Sequence, residues 1–205
     1  MFDTRLRYIL LACCVTVLWS ATPLQAQSGA VDLVRSLLDK AMDIQTRPDL
    51  QGAEHRGERA AQIRKLISEN FLIGEMAKES LRGQWEKLTA KQREHYLTLF
   101  AGIFTDSYSR RVLDFLKRET IQYPGESPEG NYVKVSTIIM RTNEHIPVDY
   151  ILEHKNQRWM IRDVIIDGVS TVETYRNGFG GFLRDHPFEA LIQRMAIQKK
   201  AGEDL

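Results

Sequence analysis

Apolar residues recur every third or fourth position through the first half of the chain and every second position later, dividing it into helices and then a sheet. Val31, Val34, Leu37, Leu38 and Ala41 predict a first amphipathic helix. The stretch from Arg47 to Arg56, with Pro48 and Gly52, reads as a loop. A second helix begins near Glu58, with Ile63, Leu66, Ile67 and Phe71 on one side, and a shorter one carrying Met76 and Leu81 lies between Gly74 and Gly83. Thr89, followed three residues later by Gln92, opens the clearest helix with a capping box. Its apolar stripe is Tyr96, Leu99, Phe100, Ile103, Phe104, Tyr108 and Val112.

The period changes at Pro124, Gly125, Pro128 and Gly130, which punctuate the chain after a short candidate strand, Thr120 to Tyr123. From Tyr132 to Met140, Val133, Val135, Thr137 and Ile139 share a face. Ile146, Val148, Tyr150 and Leu152 alternate with Pro147, Asp149, Ile151 and Glu153, as a half-buried strand requires. Asn143-Glu144 and Lys155-Asn156-Gln157 form short turns, which imply antiparallel neighbours. A further strand runs from Trp159 to Ile166, and Asp167-Gly168 closes the sheet. Ser170 with Glu173 makes a second capping box, opening a helix with Val172, Tyr175, Phe179, Phe182 and Leu183. Pro187 starts a final helix with Leu191, Ile192 and Met195, and residues 199–205 form a loose tail. The order predicts an α+β fold, a helix-rich N-terminal half packed on a curved antiparallel sheet.

The chain has 205 residues, with Lys+Arg 28 against Asp+Glu 27, so its overall charge gives no reason to bind nucleic acid. The first residues read differently from the rest. Arg5 and Arg7 precede an apolar run from Tyr8 through Trp19 and a small-residue stretch ending at Ala26, the order of a secretory signal over residues 1–26. Cleavage after Ala26 leaves residues 27–198 as one exported domain with the tail behind it. Both cysteines, Cys13 and Cys14, fall inside the signal. Leu10-Leu11-Ala12-Cys13 resembles a lipobox, but the apolar run before Cys13 is short for one.

Candidate chemistry is sparse. His55, His95, His145, His154 and His186 show no metal-ligand spacing with one another or with acids, so no metal site is assigned. Ser170 lacks the second glycine of a nucleophile elbow, and Gly178, Gly180 and Gly181 match no dinucleotide motif. Three glycines inside a helix imply close approach, space or a hinge there. Alternation places Asp163 on the face of Trp159, Ile161 and Ile165, either as a paired structural acid or as a base, unless a bulge turns it outward.

The segment from Trp159 to Ser170, with Tyr175-Arg176 and Phe179 beyond it, resembles the signature of the MlaC family, also called toluene-tolerance proteins of the Ttg2 type. Phe71, Met76-Ala77, Leu81, Trp85, Leu88-Thr89, Gln92, Phe100 and Tyr108 fit a second block in order and approximate spacing. Leu72 stands where an acidic residue is frequent, and Arg82-Gly83 where Leu-Gly is common. The resemblance implies an NTF2-like relative enclosing an apolar cavity, with no catalytic residue and no cofactor. It implies a monomeric periplasmic carrier moving phospholipid between an outer-membrane MlaA-like lipoprotein and an inner-membrane MCE-domain ABC transporter, in the maintenance of outer-membrane lipid asymmetry. The acyl chains would lie against Phe71, Trp85, Phe100, Phe104 and Tyr108 of the helical half. They would also meet Val135, Val148, Tyr150, Trp159 and Ile161 of the sheet, and Val169, Tyr175, Phe179 and Phe182 beyond it. Other readings stay open on the residues alone: a carrier of hopanoid or another apolar lipid, an NTF2-like pocket enzyme using Asp163, or an adaptor without cargo.

Overall fold

The computed structural model describes residues 29–203; the segment 1–26 expected to be a secretory signal, with Cys13 and Cys14, lies outside them, as do the last two residues. Helix α1 (Gly29–Thr46) buries Val31, Val34, Leu37, Leu38 and Ala41. Helix α2 (Arg56–Asn70) buries Ile63 and Ile67 and stops one residue before Phe71. Phe71 is therefore not on the helix face, as its spacing had implied. Its extended backbone, φ −110° and ψ 142°, leaves the helix and pairs in parallel with Ile161, while the Leu72 N–H donates to the Ile161 carbonyl at 2.8 Å. Helix α3 (Ile73–Leu81) runs into a tight turn over Arg82–Lys87. Helix α4 (Ala90–Phe115) starts with the expected capping box: Thr89 Oγ1 accepts from the Gln92 N–H at 3.3 Å, and Gln92 Oε1 from the Thr89 N–H at 2.9 Å.

Five antiparallel strands follow in sequence order, β1 (Thr120–Glu129), β2 (Tyr132–Arg141), β3 (Glu144–Lys155), β4 (Arg158–Ile166) and β5 (Val169–Ser170). The prolines do not end β1. It continues through Pro124 and Pro128 because it is the edge strand, where a missing N–H is tolerated, and its register shifts between Gln122 and Gly125. The tight turns after β3 and β4 hold Asn156 and Gln157 (φ 52° and 62°) and Asp167 and Gly168 (φ 51° and 77°), the left-handed pairs that two-residue hairpin loops favour. Val135 and Thr137 of β2, Val148, Tyr150 and Leu152 of β3 and Ile161 and Val164 of β4 are buried in the face against the helices. Thr137 is satisfied there by donating to the Val148 carbonyl at 2.8 Å.

Strand β4 changes phase halfway. Ile151 lies opposite Asp163 but Leu152 opposite Ile161, so Arg162 is an extra residue in the ladder. The expected grouping of Asp163 with Trp159 and Ile161 is thereby overturned: beyond the bulge Val164 and Ile166 take the inner face, and Asp163 and Ile165 the outer one. The bulged Arg162 pairs with Glu153 and Glu79, each at 2.8 Å, while Arg176 reaches Glu79 at 3.0 Å. These ion pairs join α3, β3 and β4 to helix α5 (Thr171–Asp185).

Ser170 caps α5, accepting from the Glu173 N–H at 3.0 Å, but no reciprocal bond from Glu173 closes the box; that side chain turns toward Arg176 at 3.5 Å. The glycines of α5 serve no close approach. A methyl group at Gly178 or Gly180 would meet nothing within 4 Å. Gly178→Ala and Gly180→Ala are accordingly each expected to stabilise the fold by about 0.5–1 kcal/mol. The measurement is the urea midpoint at unchanged slope, and a lowered midpoint would show that α5 needs glycine there. Helix α6 (Phe188–Glu203) extends into the region expected to be a loose tail, so residues 199–203 are helical. Arg110 Nη1 of α4 donates to the Gly202 carbonyl at 3.1 Å and holds that end.

Candidate functional site: an apolar cavity and its mouth

Between the helices and the inner face of the sheet lies a cavity of about 480 Å³, within the usual range for a ligand site. Its helical wall comes from Val34, Leu37, Leu38 and Ala41 of α1 and Ile63, Leu66 and Ile67 of α2. The opposite wall is Ile139 of β2, Ile146, Val148 and Tyr150 of β3, and Ile161 and Ile166 of β4. Phe71 reaches in from the edge of β4 and packs on Phe104 and Tyr108 at ring-centroid distances of 5.8 and 5.4 Å. Helix α4 supplies Tyr108, Val112 and Phe115.

Polar groups gather at one end, where α4 finishes beside the β2–β3 turn and the end of β4. Arg111, Arg141, Glu144, His145 and Asp167 stand there, with Phe115 52% exposed among them. Gln45 of α1 fixes this rim by donating to the Leu113 and Leu116 carbonyls at 2.8 and 2.9 Å, groups that a helix C-terminus otherwise leaves unpaired. Arg141 donates to the Phe115 carbonyl, lies 5.3 Å over the Phe115 ring, and sits 3.6 Å from Glu119 and 3.8 Å from Glu144. Inside, burial pushes the Tyr108 and Tyr150 phenols well above their ordinary range, so both stay neutral.

Five of the fourteen residues expected at the lipid, Phe71, Tyr108, Val148, Tyr150 and Ile161, line this cavity. A second cavity of about 460 Å³ takes Phe104, Val169 and Tyr175, and again Tyr108. The remaining expected residues line neither. Phe100 and Val135 are fully buried in packed core, with Phe100 against Tyr175 at 5.0 Å. Phe179 meets Tyr96 edge-on at 6.1 Å. Trp85 carries Arg93 at 5.3 Å, Trp159 meets His154 at 5.1 Å, and Phe182 stacks on His186 at 4.2 Å. Val169 was expected at the acyl-chain pocket; it is 62% exposed, because the Asp167-Gly168 turn carries it past the apolar cavity. Most of the wall residues missed were aliphatic: Leu66, Ile139 and Ile146 were legible as inward-facing positions but not as cavity positions, and Ile166 comes to the inner face only through the bulge at Arg162.

Asp163 lines neither cavity. Its Oδ1 accepts from the Val164 and Val172 N–H groups at 2.8 and 3.0 Å, and its Oδ2 from the Ser170 hydroxyl at 2.5 Å. It joins β4 to the start of α5.

A helical layer over an antiparallel sheet, with an aliphatic cavity between them and charge confined to its mouth, defines a container for an apolar ligand with one polar end. The chain belongs to the MlaC family: the family model described as MlaC protein matches residues 35–196. Similar proteins include the intermembrane phospholipid transport system binding protein MlaC of Haemophilus influenzae, 22% identical over 190 residues, 88% of this chain and 86% of that one. Toluene tolerance protein ttg2D of Pseudomonas putida is 21% identical over 125 residues, 58% of each chain. Among solved structures, the phospholipid-binding protein of Ralstonia solanacearum in complex with a phospholipid shares the fold, with a TM-score of 0.71 at 19% identity, covering 85% of this chain and 98% of that one.

Proposed function

We propose that this protein is a periplasmic phospholipid carrier, the soluble member of an intermembrane system linking an outer-membrane MlaA-like lipoprotein to an inner-membrane MCE-domain ABC transporter. The observation that carries the reading is the aliphatic cavity with its polar groups at one end, which suits a molecule with apolar tails and a charged head. Two acyl chains hold about thirty methylenes, and exposing them to water costs about 25 kcal/mol. A cavity of bilayer-like polarity removes most of that cost, so a lipid can enter and leave without a large energy difference. The family relationship and the relatives' names support the same reading. The enzyme alternative loses its base, since Asp163 is occupied in joining β4 to α5.

Organic extraction of the purified protein followed by lipid mass spectrometry tests the proposal. Close to one phospholipid per protein is expected. A hopanoid would change the cargo, and a protein with no lipid that also captures none from vesicles would overturn carriage.

A further inference from the structure

The second cavity differs from the first in character. Ser107, Arg111, Thr171, Thr174 and Tyr175 line it beside Phe104 and Val169, and it shares Tyr108, Arg111 and Ile166 with the apolar cavity. The two spaces therefore adjoin through a common wall, one aliphatic and the other rich in hydroxyls. Both mouth carboxylates, Glu144 and Asp167, line the first cavity and not the second.

Cations near this wall are not equivalent. Arg141 is engaged by Glu119, Glu144 and the Phe115 carbonyl. The exposed Arg111 guanidinium makes no hydrogen bond or ion pair with any described residue. Its charge nonetheless acts on both neighbouring phenols: burial pushes Tyr175 up, opposed by a hydrogen bond with Ser107 and by Arg111, and Arg111 likewise opposes the effect of burial on Tyr108. The hydroxyls sort by what they have left to give. Thr171 donates to the Val164 carbonyl and Thr174 to the Ser170 carbonyl, both at 2.8 Å, so they present only lone pairs. Ser107 and Tyr175 line the same cavity, and neither hydroxyl donates to a carbonyl or carboxylate among the described residues. Among the described residues, an anion in this cavity finds an unpaired cation, Arg111, together with the Ser107 and Tyr175 hydroxyls in the same lining.

We infer that the second cavity is a headgroup subsite in which Arg111, aided by the Ser107–Tyr175 hydroxyl pair, holds the phosphodiester of a phospholipid whose tails fill the apolar cavity. The inference rests on the carrier reading and adds a polar determinant to it. A phosphodiester stands next to the tails in such a lipid, as the second cavity adjoins the first. A diacylglycerol with the same chains lacks that group and gains nothing from Arg111.

The test offers the delipidated protein vesicles containing equal phosphatidylglycerol and diacylglycerol of identical chains, and quantifies captured lipid by mass spectrometry. One charge-assisted contact at a partly exposed site predicts a preference for phosphatidylglycerol of about tenfold. Arg111→Gln should lower that ratio to about twofold or less, and Arg111→Lys should restore part of it. Because Arg111 is exposed and makes no hydrogen bond or ion pair with a described residue, Arg111→Gln should melt like wild type. An unchanged ratio in Arg111→Gln overturns the subsite while leaving carriage intact; capture of neither lipid by wild type overturns carriage itself. If inorganic phosphate shows an Arg111-dependent broadening of its phosphorus resonance while the lipid ratio is insensitive to Arg111→Gln, the site binds free phosphate and the headgroup assignment fails.

Discussion

Ile139→Trp is expected to yield a folded protein nearly empty of lipid. Ile139 is half-buried on β2 and lines the apolar cavity opposite α1 and α2, so its uncovered side fronts space rather than packed atoms. An indole in that space displaces about three methylenes of a bound chain, about 2.4 kcal/mol or roughly fifty-fold in affinity. Overpacking a filled core costs about 1–3 kcal/mol, but here the added atoms enter a void and the melting temperature should move by only a few degrees. Phe182→Leu is the matched control, because Phe182 stacks on His186 outside both cavities and its variant should retain its lipid. Co-purified phospholipid per protein is the readout for both. A full lipid load in Ile139→Trp would show that the tails lie elsewhere.

The largest loss of stability is expected for Asp163→Ala. The substitution strips the Val172 N–H at the first turn of α5 of its acceptor and removes the partner of the Ser170 hydroxyl. An uncompensated donor together with a weakened helix start should cost about 2–3 kcal/mol in chemical denaturation. Asp163→Asn keeps an acceptor oxygen toward Val172 and should cost less. Its cost also carries a pH signature. Burial, opposed by the hydrogen bonds from Ser170, Val172 and Val164, raises the Asp163 pKa from the ordinary 3.8. The fold thus favours the neutral acid, a contribution complete below the unfolded pKa and lost as pH rises through the folded one. The asparagine is permanently neutral, so the stability gap between wild type and Asp163→Asn should narrow as pH rises above the ordinary 3.8. A gap that widens with pH would mean that the ionised carboxylate is the form the fold prefers.

The sequence pattern carried the helices, the meander and the inward face of β2 and β3, because 3.6- and 2-residue periods record which side of an element is buried. It did not carry the cavity. Phe100 and Tyr108 lie on the same stripe of α4, yet one is fully buried in core and the other stands on a cavity wall. Periodicity distinguishes inside from outside but not filled from empty. Large aromatics drew the eye, whereas most of the wall is valine, leucine and isoleucine indistinguishable in sequence from ordinary core. Asp163 was misplaced for a different reason. A bulge inverts the faces of everything beyond it, and Arg162 gives no local sign of one; its cause is distant, in Glu79 of α3 and Glu153 of β3. Similarly, Phe71 fits the helical spacing of α2, and only its pairing with Ile161 reveals where that helix stops.

The sheet is poorly suited to growing by another strand. Its outer member, β1, carries Pro124 and Pro128, which have no N–H to give, and a register shift that interrupts the ladder an approaching segment would need. Beside the first half of β4 the backbone is already engaged by Phe71 and Leu72. An extended peptide, or a second copy of the chain, therefore finds no long regular row of backbone groups on β1. Under the carrier function proposed above, recognition of a membrane complex would fall to side chains, and the rim around Phe115 and Arg111 offers an apolar and a charged one within a single turn of α4. A carrier of the kind proposed, which would have to release its partner at each membrane, is served by contacts that cannot propagate along a strand.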